Sequence, residues 1–344
     1  MGYLSNKKEN LERINMQIKE VHKDIYQAIF PLTGNPLKSI NIFVIKAEDS
    51  AMIIDTGFNN PENRGNMEEL IQRLDLNLLK TKLFLTHLHS DHVGLAKWLD
   101  DKGIGDIYIS EKDGRMVENG INKEDFQWQN IIKNAHFQGL GPEKLKIEDH
   151  PGYKNRPKEA FPHTKIKPGW EITIGDYNFV AIDEEGHTPG MLGLYEKNHK
   201  ILFCGDHILG KITPNITYWG EEFGDSLGIY LENLEKIKDL DIKHLYSSHR
   251  FLIKDTNARI DELMSHHEER LKDVLDIIKN LEKANTTEIT QKMQWDIRAK
   301  DWSDFPDSQK WFAVAEAAAH LKHLVKIGKV KEEVVNGVGY YLLR

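Results

Sequence analysis

Short apolar runs separated by polar turns dominate the first half of the chain. Ile40 to Ile45, Ala51 to Asp55, Leu83 to Leu85 and Ile107 to Ser110 each read as strands, because brief apolar or alternating runs bounded by turn residues fit a buried strand. Met67 to Leu79 has apolar positions at helical spacing and Gly94 to Asp100 predicts another helix, so strand and helix units alternate as in an α/β domain. A second β-rich run follows: Glu171 to Ile174, Tyr177 to Ile182, Met191 to Tyr195 and Ile201 to Phe203, punctuated by Gly175-Asp176 and Lys197-Asn198. Between these halves, residues 111–168 show no clean strand pattern. They hold one predicted helix, Lys123 to Asn134, and a proline-rich basic stretch from Pro151 to Lys158, and such an insert is expected to line a pocket.

Past residue 262 the pattern becomes helical. Ser265-His266-His267-Glu268 predicts the cap of a long helix to about Ala284, Thr286-Thr287 starts a short one, and Asp307-Ser308 starts a third that ends near Gly328. Val330 to Leu343 alternates around Asn336-Gly337, which predicts a hairpin. Three helices and a hairpin describe a winged-helix unit over residues 263–344, following a catalytic unit over 1–262.

Composition narrows the class. With 40% hydrophobic and 29% charged residues, the 344-residue chain is no disordered or fibrous protein, and no apolar run approaches the roughly 18 residues of a membrane span. A soluble, cytoplasmic protein is expected, because Met1 to Lys23 lacks the apolar core of a secretory signal and the single cysteine, Cys204, can form no internal disulfide. The net charge of −8 argues against a protein built to grip a polyanion. From Ser265 to Arg344 there are 13 Lys plus Arg against 13 Asp plus Glu, so the tail has no basic stripe for nucleic-acid phosphates. Its alanine-rich segment, Ala313 to Ala319, suits helix packing or a homodimer instead.

The chemistry concentrates in Thr86-His87-Leu88-His89-Ser90-Asp91-His92, directly after an apolar run. Imidazole nitrogens and carboxylate oxygens are the usual ligands of zinc, iron and manganese, and several converge on one point only where the backbone turns sharply, as in a loop after a strand. Three more strand ends carry matching groups: His187 in Glu185-Gly186-His187-Thr188-Pro189-Gly190, Asp206 in Cys204-Gly205-Asp206-His207, and His249 in Tyr246-Ser247-Ser248-His249. Five histidines and two aspartates make the ligand count for two divalent metal ions sharing a carboxylate.

Through these motifs, and through Asp55-Thr56-Gly57, the chain over about residues 20 to 255 resembles the metallo-β-lactamase superfamily, of the glyoxalase II and β-lactamase-like type. The resemblance implies a four-layer αβ/βα sandwich with the site along one edge. It implies that His87, His89 and His187 bind the first metal, that Asp91, His92 and His249 bind the second, and that Asp206 bridges them. It implies hydrolysis by a metal-bridging hydroxide, with Asp91 as the catalytic residue that orients it and zinc as the first choice of metal before iron or manganese. His89 stands where flavo-diiron relatives carry glutamate, which favours hydrolysis over redox chemistry.

The expected substrate is a small thioester, of acyl-CoA or acyl-glutathione type, or a lactone. Lys154, Arg156 and Lys158 are candidates to meet an anionic carrier, and Tyr218 to donate a hydrogen bond to a developing oxyanion. An endoribonuclease or phosphodiesterase using the same chemistry is the alternative, and a ligand-sensing regulator with a winged helix is a third.

Overall fold

The computed structural model describes residues 16–141, 146–297 and 299–344. Most of the polar N-terminal stretch (residues 1–15) and residues 142–145 of the insert lie outside them. The first sheet runs in chain order: β1 (Gln17–His22), β2 (Ile25–Pro31), β3 (Ser39–Lys46), β4 (Ala51–Ile54), β5 (Thr81–Phe84), β6 (Ile107–Ser110) and β7 (Thr164–Ile166). Its first four strands form an antiparallel meander, and from β4 onward neighbours are parallel. The connections carry α1 (Pro61–Arg73), α2 (Ser90–Val93), α3 (Ala96–Asp101), α4 (Glu111–Glu118), α5 (Phe126–Phe137) and α6 (Pro151–Asn155).

The second sheet has the order β12-β11-β10-β9-β8, built from β8 (Glu171–Ile174), β9 (Tyr177–Asp183), β10 (Leu192–Glu196), β11 (Ile201–Phe203) and β12 (His244–Tyr246). Only β11 and β12 are parallel in it, and α7 (Ser226–Lys238) supplies the crossover that a parallel pair requires. The tail adds α8 (Thr256–Leu281), β13 (Ala284–Asn285), α9 (Thr286–Thr290), α10 (Asp307–Lys326), β14 (Val330–Val335) and β15 (Val338–Leu343), with a small sheet in the order β13-β15-β14.

Burial sorts these elements into layers. Strand β3 is buried on both faces, which is why its sequence reads as an unbroken apolar run. Ile40, Ile42 and Val44 pack outward on Met67 and Leu70 of α1 and Leu99 of α3, whereas Phe43 and Ile45 face the second sheet. There they meet Phe179, Leu194, Phe203 and Tyr246; the Phe43 ring lies 5.2 Å from Phe203 and 5.3 Å from Tyr246. On the far side, Leu227, Tyr230 and Leu234 of α7 and Ile260 and Leu263 of α8 cover Leu202 and Leu245. Helices, two sheets and helices make the four layers of the expected mixed α/β sandwich.

Two helix starts differ from expectation, and the alanine-rich helix takes the packing role. Helix α1 starts at Pro61 rather than Met67, because Asn60 caps it by accepting from the Asn63 N–H and Pro61 suits the first turn. Helix α8 starts at Thr256, capped by Asp255, whose side chain accepts from the Ala258 N–H at 3.0 Å, so Ser265 sits in mid-helix and caps nothing. The helix runs through the 262/263 boundary, with Ile260 and Leu263 in the sandwich core and Val274, Ile277 and Ile278 in the core of the tail. Finally, the alanines of α10 are spent inside the chain: Ala318 and Ala319 pack on the second sheet's helical layer and Ala317 in the tail core. The hairpin forms as expected, with φ of 52° at Asn336 and 80° at Gly337 and Val335 paired with Val338. Among the described residues no helix is long and apolar enough to cross a membrane.

Candidate metal centre

Five chain segments leaving strand ends meet at one edge of the sandwich: those after β4, β5, β9, β11 and β12. Together they bring all seven expected ligands into three overlapping groups, two of which share no residue and are linked by the third, His87, His92 and Asp206. His87, His89 and His187 form the first. The Nε2 atoms of His87 and His187 each lie 3.0 Å from Nδ1 of His89, so three ring nitrogens face one another. Asp91, His92 and His249 form the second, with Asp91 Oδ2 at 3.4 Å from His249 Nε2 and 3.9 Å from His92 Nε2. Asp206 reaches both: its Oδ1 is 3.3 Å from His249 Nε2 and 3.6 Å from His92 Nε2, while Oδ2 is 3.7 Å from His187 Nε2.

Three of the ligand rings are aimed by their other nitrogen. His92 Nδ1 donates to Asp55 Oδ2 at 2.8 Å, His249 Nδ1 to the Ser39 carbonyl at 2.7 Å, and His187 Nδ1 to the Asn215 carbonyl at 2.9 Å. These partners accept, so each ring carries a proton on Nδ1 and turns Nε2 towards the centre. Asp55 also accepts from the Thr86 N–H and hydroxyl, both at 2.9 Å, and adopts φ 62° to do so. It ties the first histidine loop to the sandwich.

The donor set fits divalent cations. Asp91 Oδ2, His92 Nε2, Asp206 Oδ1 and His249 Nε2 are buried with no hydrogen-bond partner, a costly state that a bound cation relieves. Burial and the neighbouring imidazoles hold His87 and His89 well below the ordinary histidine range, which keeps them neutral and able to ligate. Burial would also lower His92, but the carboxylates of Asp55, Asp206 and Asp91 outweigh it and push the ring up to about 10. Burial would raise Asp206, yet His249, His92 and His187 around it hold it below the usual carboxylate range.

In the metal-free protein a proton on His92 therefore does part of a cation's work. Its stabilisation is complete below the unfolded value near 6.5 and is lost as pH rises toward about 10. Metal-free protein is thus expected to melt at a lower temperature near pH ~9.5 than near pH ~7, and metal-loaded protein, whose His92 has no such proton to lose, to show a smaller drop. Thermal melts with and without chelator check this.

Asp113, on α4, is the positioning residue that sequence reading missed. Its Oδ2 accepts from the Leu88 N–H at 2.9 Å and the Thr188 hydroxyl at 2.7 Å, and its Oδ1 from the Gly190 N–H at 2.7 Å, so one carboxylate pins the loops of both His87 and His187. Burial pushes it up to about 7 against those three donors. Ser110-Glu-Lys-Asp113 offers only a capping-box signal, and a misleading one: Ser110 accepts from the Asp113 N–H, but the Asp113 carboxylate turns away to the loops.

Gly94 closes the first loop against the Asp-Thr-Gly turn. A Cβ there would stand 2.4 Å from the Ser90 carbonyl and 2.5 Å from that of Gly57. Backbone must move to admit it, so Gly94→Ala is expected to cost about 2 kcal/mol or more, seen as a lowered denaturation midpoint with an unchanged m-value.

The expected substrate residues sit in two places, Lys154, Arg156 and Lys158 on the insert and Tyr218 beside the tail. The Arg156 guanidinium is committed to its own loop, donating to the Ile121 and Tyr153 carbonyls at 2.8 and 2.7 Å and stacking 3.7 Å over the Tyr153 ring. Lys154 and Lys158 are exposed on the same segment. Tyr218 faces the tail, packed with Ala318 and Ala319, with Lys322 Nζ 5.2 Å from its ring. Trp219 is the nearer aromatic residue: its Nε1–H donates to the His187 carbonyl at 3.1 Å and its ring lies 6.2 Å from that of His89.

A sequence model of the metallo-beta-lactamase superfamily matches residues 35–249, and the chain belongs to that superfamily. It is 23% identical over 300 residues to a beta-lactamase-like protein 2 homolog of Caenorhabditis elegans, covering 86% of this chain and 81% of that one. To hydroxyacylglutathione hydrolase GloC of Haemophilus influenzae it is 32% identical over 162 residues (46% and 61% of the two chains), and to the human acyl-coenzyme A thioesterase MBLAC2 23% over 197 (54% and 65%). Among solved structures, a metallo-beta-lactamase family protein of Thermus thermophilus shares the fold with a TM-score of 0.77 at 22% identity, over 94% of this chain and all of that one.

Proposed function

We propose that the chain is a dinuclear metal-dependent hydrolase of small thioesters, of the acyl-CoA or acyl-glutathione type, with lactones as the neighbouring class. The observation that carries this is the pair of ligand clusters joined by Asp206, with buried and unpartnered donor atoms on both residues flanking it, His92 and His249. His87, His89 and His187 would hold one cation, Asp91, His92 and His249 the other, and Asp206 both. Two such cations would lower the pKa of a bound water towards neutrality and polarise the attacked carbonyl, and zinc, iron and manganese all suit the donors. Asp91 is assigned to hold the second cation together with His92 and His249 and to orient the attacking water beside it. The relatives named as a hydroxyacylglutathione hydrolase and an acyl-coenzyme A thioesterase support the thioester class.

The exposed Lys154 and Lys158 remain the candidates for an anionic carrier. The tail, residues 263–344 by function, is read as a winged helix: α8, α9 and α10 with the three-stranded sheet support it, and its neutral charge favours an internal packing role over nucleic acid. A cytoplasmic location completes the reading, supported by a lone cysteine that is buried.

The test is a turnover panel of acyl-CoA and acyl-glutathione thioesters, lactones, a generic phosphodiester and single-stranded RNA, run on protein of measured metal content. Thioester cleavage that a chelator abolishes and added metal restores is the expected result. Cleavage of RNA with no carbonyl substrate turned over would overturn the proposal.

A further inference from the structure

We propose that Glu316, on α10 of the tail, is a positioning residue for the first ligand cluster, acting through Asn215 on His187. The path is short and fully bonded. His187 Nδ1 donates to the Asn215 carbonyl at 2.9 Å, which aims Nε2 at His87 and His89. Where that carbonyl points depends on what holds Asn215. Its Nδ2 donates to Glu316 Oε2 at 2.7 Å and lies 3.4 Å from the Phe312 carbonyl, and its Oδ1 accepts from the Thr217 hydroxyl at 2.8 Å.

Glu316 is itself fixed by the tail. Its Oε1 lies 3.2 Å from Arg270 Nη2 on α8, and Arg270 donates through Nη1 to the Gln294 carbonyl at 2.6 Å while its guanidinium sits 4.3 Å from the Trp295 ring. Both residues of the pair are only 13% exposed, so the pair is little screened by solvent. The anchors of the second cluster are different: His92 is held by Asp55 and His249 by the Ser39 carbonyl, both from the first sheet's strands or strand ends. The tail therefore grips one of the two clusters. Ligand affinity responds to such outer partners by about 10- to 100-fold, and the coupling is reciprocal, so filling the first cluster also steadies α10.

The inference rests on the two-cation reading, and zinc binding by equilibrium dialysis separates the two. A His249→Ala background leaves the first cluster whole; a His89→Ala background leaves the second. Glu316→Ala is expected to raise the zinc Kd about tenfold or more in the first background and to change it less than about twofold in the second. Glu316→Gln, which keeps an acceptor for Asn215 Nδ2, is expected to recover most of the loss. Asn215→Ala, which leaves Arg270 and Glu316 in place, reproduces the selective loss even if Glu316→Ala folds poorly. Equal Kd changes in both backgrounds, or none in either, overturn the positioning role while leaving two cation sites. Failure of zinc to bind either background with Glu316 intact overturns both readings.

Discussion

Asp206→Ala is expected to lower kcat/KM for thioester hydrolysis by about a thousandfold or more. Among the described residues Asp206 is the carboxylate that touches imidazoles of both clusters, through separate oxygens. Alanine removes one ligand from each and leaves His92 and His249 buried without that balancing charge. Charge stabilisation by bound cations supplies several kcal/mol of the barrier reduction, and each 1.36 kcal/mol is about tenfold in rate. Bound metal should fall below two equivalents in the same sample. Asp206→Asn keeps the shape without the charge and should retain part of the metal and little of the rate. Two equivalents of metal with unchanged turnover in the alanine variant would remove Asp206 from its assigned place.

Asp113→Ala should produce the largest loss of stability. Three donors, the N–H groups of Leu88 and Gly190 and the Thr188 hydroxyl, end on its carboxylate in a fully buried setting. Each one stranded costs about 1–3 kcal/mol, so a loss of about 3 kcal/mol or more is expected, read as a lower denaturation midpoint. Because those donors belong to the loops of His87 and His187, zinc affinity should fall by about 10-fold or more as well. A variant that keeps its midpoint but loses metal would make Asp113 a local aid to ligation rather than the pin between two loops.

The candidate ligand set is legible because metal binding demands residue types that crowd visibly at strand ends, and seven such residues in four chain segments leave few alternatives. The residues that aim them are not. Asp113 looks like part of a helix cap, and Asn215 acts through a backbone carbonyl, which any residue type could offer; neither carries a signal that a single chain displays. Strands with unbroken apolar runs, such as β3, are plain in the sequence, because burial on both faces forces that pattern. Strand β2 is not, since Gln27 and Ala28 interrupt the run although both are buried, and β12 is only three residues long. In the basic insert a guanidinium reads as a surface charge, and only packing shows that Arg156 is bonded to its own loop.

The proposed hydrolytic centre has one carboxylate, Asp206, joining two cation sites. Its most direct test is a titration of chelator-stripped protein with zinc, measuring bound metal and acyl-CoA thioester turnover on the same samples. Binding is expected to saturate at about two equivalents, with turnover rising until the second is filled. Full turnover in stripped protein, or saturation at one equivalent with full turnover, would contradict it.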